Sequence, residues 1–215
     1  KQVQCASLDW TEGVIRVCGG SLTAGDLADF NIKGSYILES GIIDLTQDSV
    51  QYVDLNADLY ISGGTFTIHG GNNAPSEWAY TEDCQVTMSG GTLNFADNGI
   101  YLSNTGHYLG IDISGGEIQT SKDFKVERPG FNPTGGTVML YGSGNSILHV
   151  SSPSALNILS VYKNGRESGT DRTNMVTVDG NTNILRYCEI NSGILEINNC
   201  RLFMNGTLSV LGALK

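Results

Sequence analysis

The chain has 215 residues, enough for one elongated domain with a continuous core. Its 22 acidic residues outnumber the 12 basic ones, and the net charge of −10 argues against nucleic acid or an anionic membrane surface as a partner. Charged residues make up only 16%, glycine is abundant at 28 residues, and no apolar run reaches the ~18 residues of a spanning helix, so no membrane insertion is expected.

The first elements are irregular. Val14-Ile15-Arg16-Val17 reads as a strand, Trp10 precedes it, and Gly25-Asp26-Leu27-Ala28-Asp29 reads as an acidic turn. Between them stands Cys18-Gly19-Gly20-Ser21-Leu22-Thr23-Ala24, the first copy of a motif that returns along the chain. Ser40-Gly41-Ile42-Ile43-Asp44-Leu45 is a looser copy, flanked by strand-like Tyr36-Ile37-Leu38 and by the 50–53 and 58–61 stretches. Ser62-Gly63-Gly64-Thr65-Phe66-Thr67-Ile68, Ser89-Gly90-Gly91-Thr92-Leu93-Asn94-Phe95, Ser114-Gly115-Gly116-Glu117-Ile118-Gln119-Thr120 and Thr134-Gly135-Gly136-Thr137-Val138-Met139-Leu140 are the clear copies. Ser192-Gly193-Ile194-Leu195 and Asn205-Gly206-Thr207-Leu208 are late, looser ones.

The last glycines of the first six copies fall at 20, 41, 64, 91, 116 and 136, in steps of 21, 23, 27, 25 and 20 residues. A period of this length marks a solenoid. After each glycine the apolar positions alternate with polar ones, as in Phe66/Ile68 around Thr67 and Leu93/Phe95 around Asn94. Period two means a short strand with one buried face. Leu22, Ile43, Phe66, Leu93, Ile118 and Val138 should therefore form one inward ladder, and Ala24, Leu45, Ile68, Phe95 and Leu140 a second. The expected fold is all-β: a single-stranded, right-handed parallel β-helix of about nine coils of 20–27 residues. Residues 1–215 form one domain, with projecting loops at 69–83, 127–134 and 163–173. Because the chain opens at Lys1 and stops at Lys215 without a polar cap, it is expected to be a piece of a longer protein.

Five cysteines, Cys5, Cys18, Cys84, Cys188 and Cys200, lack the paired spacing of a zinc site. They read as small core residues in the stack, with a bridge across one coil near each end as the alternative. From Gly34 to Ser121 there is no Lys or Arg, against eleven acids. That segment reads as a solvated surface; bound Ca²⁺ or repulsion of anionic partners are the sharper readings. No metal or other cofactor is expected.

The repeat resembles the right-handed parallel β-helix proteins of the pectin-lyase-like superfamily. The Ser-Gly-Gly-Thr-apolar-x-apolar copies are most similar to those of secreted or surface proteins of Bacteroidetes-type bacteria. The resemblance covers nearly the whole chain and speaks to fold more than to activity. It implies a secreted or cell-surface bacterial location. Enzymes of the superfamily carry paired Asp residues, a Gly-His-Gly and an Arg-x-Lys, or Ca²⁺-binding strand carboxylates with a basic residue. Here His69, His107 and His149 each stand apart from an evident partner in sequence, and neither Gly-His-Gly nor Arg-x-Lys occurs. Asp44 and Glu117 point outward but lie three coils apart, too far for the two carboxyls of a glycosidase. Asp112 and Glu117 are the one pair that a corner brings closer.

No catalytic residue is assigned. The chain reads as a non-catalytic extracellular or cell-surface module, an adhesin, stalk or glycan-contacting surface. The alternative is a polysaccharide-active lyase or hydrolase, or a degenerate relative of one. The candidate ligand-binding residues are Trp78, Tyr80, Glu77, Asn72 and Asn73, all in the longest interruption of the repeat. Trp78 and Tyr80 stack on a neutral glycan, dock another surface protein, or fold back over the coil. The missing Lys and Arg favour a neutral glycan over an anionic one.

Overall fold

Residues 1–5, 12–25, 31–46, 54–70, 76–77, 84–97, 99–105, 108–163 and 174–215 are described by a computed structural model. Among them every regular element is a strand, and every pairing is parallel. Parallel pairing of strands about twenty residues apart is what a solenoid produces, since the strands of each coil pair with those of the coils above and below. A twelve-stranded sheet, a seven-stranded sheet and a two-stranded sheet wrap one core. Seven turns place a strand in the seven-stranded sheet, slightly fewer than the nine coils expected. Before Ser76 that side carries only the short Asn31–Ile32 and Asp54–Leu55 pair.

The large sheet is bent along its length. Strands such as Cys84–Phe95 and Tyr108–Thr120 run through the glycine pair and continue beyond it. This gives a limb before the glycines and a limb after them. The limb after them carries the expected ladders. Leu22, Ile43, Phe66, Leu93, Ile118 and Val138 are register neighbours in turn, and Leu159 and Cys188 extend the row. All of these are buried, as are Ala24, Leu45, Ile68, Phe95, Thr120 and Leu140 in the parallel row. Thr120, absent from the expected second ladder, is the polar member of that row.

The glycine pair has a steric cause that Gly90-Gly91 illustrates. A Cβ on Gly90 would lie 2.5 Å from the Ser62 carbonyl oxygen of the coil below. Gly91 has φ +74, a left-handed conformation that costs other residues 1–2 kcal/mol or so. One glycine makes room and the other makes the bend. The copies at 63–64, 115–116 and 135–136 repeat both conditions.

Where the coils leave backbone groups unmatched, short polar side chains take them. Asp58 Oδ1 accepts from Gln85 N at 2.9 Å, Asp123 Oδ1 from Ile147 N at 2.8 Å, Asn145 Oδ1 from Met175 N at 2.9 Å and Asn181 Oδ1 from Arg201 N at 2.8 Å. Each reaches one coil onward. Such bonds are worth about 1 kcal/mol, and more when the acceptor is charged.

One ammonium is wholly inside. Lys163, fully buried, ends the strand Leu156–Lys163. Its Nζ donates to the carbonyls of Ser121 at 3.0 Å and Tyr141 at 2.9 Å and to Ser146 Oγ at 2.6 Å. Three donors meet three acceptors, and the contact laces successive coils at a corner. Burial, then the neighbouring Lys122, pushes its pKa down to about 8, against a smaller opposing pull from Asp123.

Cys188 occupies a ladder position, and Cys200 Sγ donates to the Val178 carbonyl at 3.2 Å, so these two are not bridged. Burial, with Glu189 adding to it, raises the Cys188 thiol to about 12. Residues 127–134 hold no strand, and Phe131 turns inward onto Phe124 with ring centroids 6.0 Å apart. The 71–75, 78–83 and 164–173 stretches lie outside the described residues.

Phe66 packs edge-on against Tyr36, ring centroids 5.3 Å apart. Phe66→Ala should destabilise the protein by roughly 3–5 kcal/mol, measured by chemical denaturation. A loss under about 1 kcal/mol would place the ring outside the core. Lys163 makes a pH-dependent prediction. Its folded pKa of about 8 lies below the unfolded value of 10.5, so between those values the unfolded chain binds more protons. Stability contributed by this group therefore rises with pH across that window, by on the order of 3 kcal/mol. The melting temperature of wild type relative to Lys163→Met should increase between the two ends of the window. A constant difference would contradict it.

Candidate functional site

Trp78, Tyr80, Asn72 and Asn73 lie outside the described residues. Glu77 is placed by its backbone, in the short strand Ser76–Glu77, as the register neighbour of Tyr101.

A different surface does present a shaped site. A groove of about 290 Å³ is lined by Asn132, Pro153, Ala155, Asn183, Ile184, Leu185, Phe203 and Asn205. It lies toward the C-terminal end, on the outer side of the limb before the glycines. In the strand Leu202–Met204, Leu202 and Met204 pack on the core, so alternation turns Phe203 outward. Phe203 is 46% exposed and Leu185 38%. Asn183 is the register neighbour of Phe203, set between buried Thr182 and Ile184. Asn205 follows, its backbone N–H bonded to the Ile184 carbonyl at 3.1 Å.

The other wall is held by a turn. Ser154 N donates to the Ser151 carbonyl at 2.9 Å. The buried Ser154 hydroxyl accepts from Phe131 N at 3.1 Å and donates to the Arg128 carbonyl at 2.7 Å. These bonds tie Pro153 to the preceding coil, which carries Asn132. The lining has an apolar base, three amides and no charged side chain. Carboxamides both donate and accept, which suits hydroxyl-rich neutral ligands.

Carboxylates elsewhere are engaged or separated. Asp44 and Glu117 sit on strands three register steps apart, as expected. Glu117 accepts from Gln119. Arg16 pairs with Glu39, which holds the Glu39 carboxyl low through hydrogen bonds from Cys18 and Arg16. Tyr101 donates to Glu127 at 2.7 Å, and Tyr141 reaches across two coils to Asn94 Oδ1 at 2.9 Å.

Two histidines have partners that the sequence did not show. His69 Nδ1 lies 2.8 Å from Asp97 Oδ2, and its Nε2 lies 3.4 Å from Asp44 Oδ1. His149 Nε2 lies 2.9 Å from Ser151 Oγ, and its Nδ1 lies 3.8 Å from Asp179 Oδ2. Each Asp is about one coil from its histidine, a spacing that reading the sequence linearly does not flag. His107 lies outside the described residues. Phe203 did leave a signal: in Leu202-Phe203-Met204 alternation sets an aromatic residue between two that face the other way.

Among the described residues no helix is long and apolar enough to cross a membrane. Compared with protein families, with curated proteins and with solved structures, the chain matches none.

Proposed function

We propose that this chain is a glycan-contacting module of an extracellular or cell-surface protein, and that it does not cut the glycan backbone. The observation that supports this best is the uncharged groove in which exposed Phe203 stands beside Asn183, with Asn132 and Asn205 also in the lining. An aromatic face offers apolar area to the C–H face of a sugar ring, and the amides complement its hydroxyls. A lining without Lys or Arg favours a neutral sugar over a uronate. The groove stands on sheet and on a pinned turn, so little order has to be gained on binding. Membership of the pectin-lyase-like superfamily, and a bacterial secreted or surface origin, belong to the same proposal.

A polysaccharide-cleaving reading has less support. Asp58 and Asp123 are committed to backbone N–H groups, and Asp44 and Glu117 are three strands apart. A hydrolase needs two carboxyls across one bond. The test is binding to an array of neutral oligosaccharides by wild type and a Phe203→Ala/Asn183→Ala variant. The variant should bind at least about tenfold more weakly with an unchanged melting temperature, since both side chains face outward. Equal binding by both would remove the groove. Loss of binding in a Trp78→Ala/Tyr80→Ala variant instead would move the site to the 69–83 segment.

A further inference from the structure

His149 and Ser151 are two residues apart at the end of the strand Ser146–Val150. Leu148 and Val150 are buried, so alternation turns both His149 and Ser151 outward. Ser151 Oγ lies 2.9 Å from His149 Nε2, within hydrogen-bonding distance for a nucleophile and its base. Asp179 comes from the next coil, where its N–H donates to the Leu148 carbonyl at 2.9 Å. Its carboxylate faces the other ring nitrogen, Nδ1, at 3.8 Å.

The surroundings hold this arrangement. Both backbone groups of Ser151 are bonded, its N–H to the Val126 carbonyl at 2.8 Å and its carbonyl from Ser154 N at 2.9 Å. Gly180, at φ +95, lies against the imidazole: a Cβ there would come 3.3 Å from both Cε1 and Nδ1. Lys125, the register neighbour of His149 on the preceding strand, puts a cation on the same face, 3.0 Å from Asp123. The His149 side chain is 27% exposed, which leaves the ring reachable from solvent.

We propose that Ser151, His149 and Asp179 form a second site, in which Ser151 is a nucleophile toward acyl esters, His149 its general base and Asp179 a positioning carboxylate. A carboxylate beside Nδ1 favours the tautomer that protonates Nδ1, leaving Nε2 to accept the serine proton. Ser151 Oγ then bonds to the ester carbonyl carbon as its proton passes to Nε2. The carbonyl carbon–alkoxy oxygen bond breaks, and the departing alcohol takes that proton. Water repeats the sequence on the acyl-serine, releasing a carboxylic acid and restoring the hydroxyl.

The substrate follows from position, and this half rests on the glycan reading of the groove. Pro153 lines the groove two residues after Ser151, and Asn183 lines it four residues after Asp179. An O-acyl substituent on a glycan held there comes to the corner where Ser151 stands. The ester class is therefore an O-acylated neutral glycan.

The test begins with a fluorophosphonate probe, which needs the nucleophile and not the groove. Peptide mapping should find one adduct on Ser151 in wild type and none in Ser151→Ala. His149→Gln should slow labelling roughly 100-fold or more. Asp179→Asn should slow it at least about tenfold while Asp179→Glu recovers most of the rate, at unchanged melting temperature, which a purely structural role would not produce. Gly180→Ala should slow it too, by displacing the ring. Failure to label Ser151, or labelling indifferent to His149, overturns the nucleophile. Release of acetate from an acetylated neutral oligosaccharide, beside hydrolysis of p-nitrophenyl acetate, tests the substrate. Labelling and small-ester hydrolysis with no release from the oligosaccharide would overturn the glycan ester while leaving the nucleophile standing.

Discussion

The whole stack depends on one close approach. At each bend the carbonyl of the coil below occupies the space a side chain would need, as the Ser62 oxygen does beneath Gly90. Two successive glycines meet the two demands at once, no Cβ and a left-handed turn. The bend of one coil is thus shaped by the bend below it, and register passes from coil to coil through direct contact. Glycine has weak local preference for any one conformation, so an isolated coil would not hold this shape. Stability then resides in the interfaces between neighbours, as in other one-dimensional repeats. Where the pair is lost after Pro153, Asn157 turns its side-chain amide onto the Gly136 carbonyl at 3.0 Å and keeps the coils joined.

Polar residues inside and at the corners serve the same stacking. Asp58, Asp123, Asn145 and Asn181 each collect a backbone N–H from the following coil. Lys163 collects two carbonyls and a hydroxyl. A buried ammonium with three partners is tolerated because each N–H is matched, although its desolvation still lowers its pKa. Part of the acidic character of the chain is therefore structural, which narrows the set of carboxylates left for ligands.

A solenoid with its inward positions filled offers function only its outer surface. Here the segment from Ser151 to Ala155 matters most. It turns the chain from one sheet to the next, and Ser154 fastens it to the previous coil through two bonds. One end of it presents Ser151 to His149, and the other lines the groove facing Phe203. Rigid backbone on both sides of a corner is a suitable mount for side chains that must hold their geometry.

The period of the glycines and the alternation after them were sufficient for the architecture, because each coil repeats the same local steric problem. Phe66 and Leu93 declared their inward direction by pattern alone, whereas the polar Thr120 was placed in its row only by the stacked register. The number of turns was less legible, since it depends on where strands pair on the third side, and the motif does not extend there. The sites were hidden for a related reason. Asp179 meets His149, and Asp97 meets His69, only after the chain has gone once around. Phe203 and Pro153 become walls of one groove only when coils fifty residues apart in sequence stand side by side, about 10 Å apart by two strand spacings. Sequence patterning determines which way each side chain points within its own coil. Which side chains meet across coils depends on loop lengths between the repeats, and only the stacked structure decides that.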